Sequence, residues 1–425
     1  MKPGLRSYFT RPLFTVLFLG FSSGLPLLLV WSTLTAWLHD ASIDIRTIGL
    51  FAAVRTPYSL KFLWAPLLDS LPVPVLSKRF GRRRGWLLAT QALLIAAIAL
   101  LACARPDINP GLTALAAMLV AFMAASQDIV VDAYRIELLA PEEQGEGAAM
   151  AQLGYRLGML MAGAGAFYIA TPLGWQATYF IMAGMGGVGI LTTLLAREPE
   201  ASKAVSEPQA FAFAAWLRAS VIEPFIDFTR HDSWWLILVF VVVYKLSDAF
   251  MGGMTNPFFL DIGFSKITIA NIVKLCGVVP TFAGIFIGGA LTARFGAIRI
   301  LFIVGFLHAL TNLLFVLQAH VGANSALLAA SIFAENLSGG ISAAAFVAYL
   351  STLCNVHYTG TQYALLSSLA AVGTTWLSTP AGYVVKYLGW EWFFAFAAFL
   401  AIPGLGLLYL LEKRLRATSL PAATT

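Results

Sequence analysis

Asp128, Asp132 and Arg135 stand at i, i+4 and i+7 in the run Ser126-Gln127-Asp128-Ile129-Val130-Val131-Asp132-Ala133-Tyr134-Arg135, within a segment otherwise apolar enough to cross a bilayer. At about 100° per residue they fall on one helix face, so two carboxylates and a guanidinium form a stripe. An ionisable group at the bilayer centre costs roughly 2.5–3.5 kcal/mol on insertion scales, and such groups persist where they face a polar cavity. The stripe therefore reads as the wall of a transport path. Other ionisable residues lie deep in apolar runs: Arg55, Lys61, Arg156, Lys245, Asp248, Lys274 and Glu335.

Bases outnumber acids in this set, and unpaired cations are hard to sustain in a low dielectric without a negative ligand. An anionic substrate is expected, with Arg55, Lys61, Gln127, Tyr155, Arg156, Lys245, Lys274 and Trp376 as candidate contacts. Arg156 is placed to meet Asp128 or Asp132, or to take a carboxylate bidentately when that pair opens. Lys245 and Asp248 are spaced i, i+3 and suit a local pair. Each of these charges reads either as a substrate or coupling group or as a structural ion pair. Trp31, Tyr58, Tyr155 and Trp376 are aromatic faces on which a sugar ring can stack.

No Gly-x-x-x-x-Gly-Lys-Ser/Thr pattern occurs, so the drive is expected to be a proton gradient, with no cofactor. Asp128, Asp132, Asp248 and Glu335 are the candidate proton-coupling acids, because a carboxylate beside a base changes its proton affinity when substrate takes that base. No nucleophile–base pair or metal-ligand spacing emerges, which argues against an enzyme and a metal. Cys103, Cys276 and Cys354 are too scattered to pair readily. Only His308 among the histidines falls inside a span, and it reads as a packed or snorkelling side chain.

Positioning these groups falls to membrane-spanning helices. Hydrophobic residues make up 59% of the 425 positions and charged ones 11%, with a mean hydropathy of +0.80, which excludes an ordinary soluble domain. Apolar runs of about 20 residues fall near 12–38, 46–70, 86–104, 111–139, 148–170, 176–196, 234–256, 266–291, 298–318, 325–353, 361–386 and 392–411. The predicted fold is thus an all-α membrane protein of twelve spans. The first is read as retained, being too long for a signal-peptide core.

With both termini cytoplasmic, the inside carries Lys2, Arg6, Arg11, Lys78, Arg79, Arg82, Arg83, Arg84, Arg197, Lys203, Arg218, Arg230, Arg294, Arg299, Lys413, Arg414 and Arg416. Arg46, Arg105, Lys266 and Lys386 remain for the outside. The net charge of +6 is explained by this topology and requires no nucleic-acid partner.

The expected organisation is a six-helix bundle over 1–196, a cytoplasmic linker over 197–233, a second six-helix bundle over 234–411 and a cytoplasmic tail over 412–425. The linker's second part, from Phe211 to Arg230, mixes apolar and charged residues as an interfacial helix does; the alternative is a simple tether. A weak repeat supports the two halves. Leu67-Leu68-Asp69 with Arg79-Phe80-Gly81-Arg82-Arg83 follows span two, and Gly289-Ala290-Leu291-Thr292-Ala293-Arg294-Phe295-Gly296 occupies the same link in the second half. Both resemble the loop signature of the major facilitator superfamily. Asp69 and Arg82 are the candidate conformational gate, an acid and a basic turn able to latch neighbouring helices; the alternative is a solvated helix end.

Gly20-Phe21-Ser22-Ser23-Gly24-Leu25-Pro26, Lys61-Phe62-Leu63-Trp64-Ala65-Pro66, Gly81-Arg82-Arg83-Arg84-Gly85-Trp86, Ala125-Ser126-Gln127-Asp128, Gly154-Tyr155-Arg156-Leu157-Gly158, Tyr244-Lys245-Leu246-Ser247-Asp248, Glu335-Asn336-Leu337-Ser338 and Thr352-Leu353-Cys354-Asn355 together resemble the AmpG-type muropeptide permeases of that superfamily. This resemblance implies proton symport of N-acetylglucosaminyl-1,6-anhydro-N-acetylmuramic acid and its peptides from periplasm to cytoplasm, across the bacterial inner membrane; a monomer is expected. It also implies a place in peptidoglycan recycling and, where the circuit exists, in β-lactamase induction and antibiotic resistance. Arg55 and Pro57 depart from the uncharged middle of span two expected of the family. Two alternatives stand beside this reading: a permease for another bulky anion of acetyl-CoA or siderophore type, and a membrane sensor of wall fragments.

Overall fold

The computed structural model describes residues 10–43, 47, 51–200, 218–231, 233–252, 254–376 and 381–419. Among these, nine helices are long and apolar enough to cross a membrane. The difference from twelve has local causes. Pro141–Leu195 holds two expected spans that meet at Gly174, whose φ of 77° turns the chain in a way a side-chain-bearing residue resists. Gly389, also at φ 77°, makes the same turn between the last two spans.

Span two is broken into a 3-10 turn at Phe51–Arg55, short helices at Thr56–Leu60 and Ala65–Ser70, and a 3-10 turn at Lys61–Leu63. Pro57 and Pro66 sit in the first turns of the two helical pieces, where a missing N–H is harmless, and each prevents a helix from running through it. Span seven is likewise divided into Trp234–Tyr244, Leu246–Gly252 and Thr255–Asp261, with Lys245 at the first break. Irregular backbone at such depth is tolerated where it is enclosed by protein or lines a cavity.

The chain forms two compact units, Met1–Asp227 with Ser351–Ser368, and Phe228–Leu350 with Leu369–Thr425. The first therefore includes a piece of the second half, from Ser351 through the start of the Thr359–Trp376 helix. The first unit's core gathers Leu29, Leu34, Trp37, Leu101, Val120 and Tyr179. The second packs Phe258, Phe259, Phe315, Phe393 and Phe394.

Within the first unit, helices Arg11–Leu29 and Gln144–Leu160 touch through glycines. A Cβ on Gly154 would lie 1.9 Å from the Leu17 carbonyl oxygen, and one on Gly158 would lie 2.3 Å from that of Phe21. Small residues let the two backbones meet, as the Gly-x-x-x-Gly spacing predicts. Gly154→Leu is accordingly expected to separate these helices and abolish a monodisperse, folded protein in detergent, read by size-exclusion chromatography.

The two halves share two structural repeats. Gly81 (φ 93°) and Gly296 (φ 84°) each precede a long helix, Arg82–Ala102 and Ala297–Val321, and Arg79 and Arg294 each lie over the neighbouring Phe80 or Phe295 ring. Leu173-Gly174-Trp175 and Leu388-Gly389-Trp390 form matching corners. The Trp175 indole N–H donates to Asp40 at 2.8 Å, and that of Trp390 to Asp261 at 3.1 Å.

Candidate functional site

The polar residues fall into three clusters. The first lies on Pro110–Leu138, a helix whose first turn is capped by Asn109 accepting from the Leu112 N–H at 3.0 Å. Asp128 and Asp132 share a face as expected. Lys61 of span two is close enough to act electrostatically on both, and Ser23 of span one adjoins Asp128. Lys61 is only 7% exposed and has no carboxylate within 4.0 Å among the described residues. Tyr58 and Tyr155 lie in the same field as Asp128. Arg55 covers the Trp31 ring at 4.0 Å from its centroid, a cation–π pair with one accessible side, since Trp31 is 45% exposed.

Two expectations require correction here, those for Arg156 and Gln127. Arg156 makes no ion pair with Asp128 or Asp132; it points into accessible space next to Tyr155, with no carboxylate within 4.0 Å among the described residues. Arg135 meets Asp132 at 3.6 Å, but its Nη1 also donates to Ser351 Oγ at 3.0 Å and its guanidinium lies over the Tyr363 ring, so it binds the 351–368 segment. Gln127 is fully buried, its Oε1 accepting from Ser22 at 3.5 Å, because it faces span one and not the acid stripe. The side chains of Lys274 and Trp376 lie outside the described residues, as do 201–217 of the linker, with Phe211, Phe213 and Trp216.

The second cluster belongs to the second unit. Lys245 Nζ donates to Asp248 Oδ2 at 2.8 Å, the i, i+3 pair read from the sequence. Spacing alone does not point to a further partner, His308, whose Nε2 lies 2.9 Å from Asp248 Oδ1. Glu335 is close enough to act on both Asp248 and His308. A polar residue in the middle of the Ala297–Val321 span was the available signal, since such groups are seldom idle in a membrane.

The third cluster surrounds Asp69. Asp69 Oδ1 accepts from Arg83 Nη2 at 2.5 Å, and its Oδ2 accepts from both the backbone N–H and the hydroxyl of Thr361 at 3.0 Å. The carboxylate thus sits at the N-terminus of Thr359–Trp376, where free N–H groups and the helix dipole favour negative charge. Arg83 Nε donates to both oxygens of Glu137 at 3.0 Å, and Glu137 Oε1 accepts from the Thr359 hydroxyl at 2.9 Å. The expected basic partner, Arg82, instead donates to the Asp69 backbone carbonyl. Arg83, Glu137, Thr359 and Thr361 were not legible as members, because they come from three separate parts of the chain.

The linker joins this assembly. Gln362 Nε2 and Asn355 Nδ2 donate to Asp227 at 3.0 and 3.1 Å, so the polar side of the Glu223–Thr229 helix faces the 351–368 segment.

A broken, charged span inside each of two helical units defines a multi-pass membrane protein with the architecture of a secondary transporter. The comparisons agree. The Major Facilitator Superfamily profile matches residues 14–251 and 245–424. The anhydromuropeptide permease of Escherichia coli (strain K12) is 42% identical over 405 residues, covering 95% of this chain and 80% of that protein. AmpG 4 of Rickettsia felis is 37% identical over 406 residues, covering 95% and 97%. The chain belongs to the Major Facilitator Superfamily, in its AmpG-type permease family. Solved structures share the fold: FucP in its outward conformation at TM-score 0.72 and 14% identity, covering 95% of this chain and 99% of that one, and the human organic anion transporter MFSD10 at 0.70 and 15%, covering 94% and 99%.

Proposed function

We propose that this protein is a proton-coupled importer of peptidoglycan turnover fragments, N-acetylglucosaminyl-1,6-anhydro-N-acetylmuramic acid with or without its peptide, moving them from periplasm to cytoplasm across the inner membrane. The observation that carries this reading is the 42% identity to the Escherichia coli anhydromuropeptide permease along 95% of the chain. The first unit's chemistry supports it. Arg156 and the Arg55–Trp31 pair offer accessible cations for peptide carboxylates and an aromatic surface for a sugar ring. Asp128 and Asp132, close to Lys61, supply acids whose hold on a proton depends on what occupies the neighbouring base.

In this reading the chain acts as a monomer with both ends cytoplasmic, its latch on the cytoplasmic side, and its work is transport, not catalysis. The experiment is uptake of labelled anhydromuropeptide into reconstituted vesicles, with and without an imposed pH difference. Accumulation only with the gradient supports the proposal. Binding without accumulation makes the protein a sensor, and competition by acetyl-CoA or a metal–siderophore complex would reassign the substrate. Arg156→Ala is expected to weaken binding of the peptide-bearing fragment about ten- to hundredfold, the scale of one lost charge-assisted contact of roughly 1.5–3 kcal/mol. Binding calorimetry checks this, and unchanged affinity removes Arg156 from the contact.

A further inference from the structure

In the second unit, His308 lies in a hydrogen-bond arrangement that accommodates either of its protonation states. Its Nε2 faces Asp248 Oδ1 at 2.9 Å, and its Nδ1 faces Ser338 Oγ at 2.9 Å. Ser338 Oγ also lies 2.9 Å from the Ala334 carbonyl oxygen and 3.0 Å from that of Glu335. Asp248 takes Lys245 Nζ on its other oxygen at 2.8 Å, and Lys245 reaches Ser342 Oγ at 3.3 Å. Tyr244, Ser247, Asp248, His308 and Ser342 line a cavity of about 20 Å³, room for one water.

Counting donors fixes what each state requires. An ionised carboxylate only accepts, so Nε2 carries a hydrogen and gives it to Asp248. With His308 neutral, Nδ1 is an acceptor, and the Ser338 hydroxyl turns to donate to it. With His308 protonated, a new N–H forms at Nδ1 and donates to Ser338 Oγ, while the hydroxyl hydrogen rotates to the Ala334 or Glu335 carbonyl. No polar atom of the histidine is left unpaired in either state, so one hydroxyl rotation accompanies the gain or loss of a proton, which comes from or returns to water.

The charged surroundings set the roles. Lys245 and Asp248 of span seven neutralise each other, and Glu335, beside Ser338 on the Ser325–Thr352 helix, supplies a negative field when His308 becomes a cation. The Tyr244 hydroxyl is engaged with the Leu301 carbonyl, and the Ala401–Ser419 helix presents Ala401 and Leu405 to the cavity. Asp248 accepts an N–H on each oxygen, one of them from an ammonium group, so both of its oxygens are engaged and the imidazole beside it is the group with two satisfied states.

We propose that His308 is a proton-binding residue of the transport cycle, with Asp248 as its fixed counter-charge and Ser338 as the hydroxyl that serves both of its states. This rests on the proton-coupled reading above. In vesicles, H308Q is expected to lower the ratio of gradient-driven accumulation to equal-pH exchange about tenfold, the scale of an ordinary coupling between two binding events. A ratio at the native value overturns the proposal.

Native vesicles that ignore the gradient would instead overturn the proposed function. His308 is then judged directly in full-length protein with His39, His231, His320 and His357 replaced by glutamine. Infrared difference spectra of ¹³C-labelled histidine are expected to show the remaining imidazole titrating, and the midpoint moving when anhydromuropeptide is added. One protonation state throughout, or a midpoint that substrate leaves in place, overturns the inference, including where H308Q fails to fold.

Discussion

Asp128→Asn is expected to reduce gradient-driven uptake of anhydromuropeptide to background while the protein still reaches the membrane. Asparagine keeps the size and shape of the side chain but can neither ionise nor bind a proton at neutral pH. Asp128 is the acid on which Lys61, Asp132, Ser23, Tyr58 and Tyr155 converge, so its loss removes the negative charge opposing a buried lysine that has no carboxylate within 4.0 Å among the described residues. Uptake by vesicles at matched protein content is the measurement. Native accumulation by the variant would take Asp128 out of the coupling mechanism and leave Asp132, already held by Arg135 at 3.6 Å, as the nearest acid.

The second large effect is expected at Arg83→Leu. Arg83 is fully buried and is shared by Asp69 and Glu137, themselves almost or wholly enclosed. Its removal takes the nearest counter-charge from both carboxylates, leaving Glu137 only the more distant Arg82 at 3.9 Å, and breaking one buried pair in this way typically costs about 3–5 kcal/mol. The first unit should melt far below the native protein, and the 351–368 segment, tied through Thr359 and Thr361, should lose its anchor. Arg83→Lys keeps the charge but gives up the fork that reaches both acids, so it should fall between the two. Thermal unfolding in detergent by tryptophan fluorescence decides the order; a melting temperature unmoved by Arg83→Leu would show that this cluster contributes nothing to the unit's stability.

Much of the architecture was open to sequence reasoning because a bilayer enforces it. Long apolar runs, and acids confined to one helical face, leave few arrangements. The i, i+3 pair of Lys245 and Asp248 and the glycine contacts at Gly154 and Gly158 follow from spacing within one helix. What escaped depends on distant parts of the chain meeting. Arg83 outranks Arg82 at Asp69 because of where the turn at Gly81 aims each guanidinium, and Arg135 adds Ser351 and Tyr363 to its contact with Asp132. The apolar run of span two predicts a continuous helix, and Pro57 and Pro66 are what break it. The Leu-Gly-Trp repeat was visible in the letters, but its meaning lies in two positive φ angles that letters do not display.

Those two corners leave an indole at the edge of each half with its N–H tied to an exposed acid. Emission from Trp175 or Trp390, isolated by replacing the other tryptophans with phenylalanine, therefore offers an optical gauge of each half by itself. Asp40→Ala or Asp261→Ala supplies the matching reference spectrum for the untied ring.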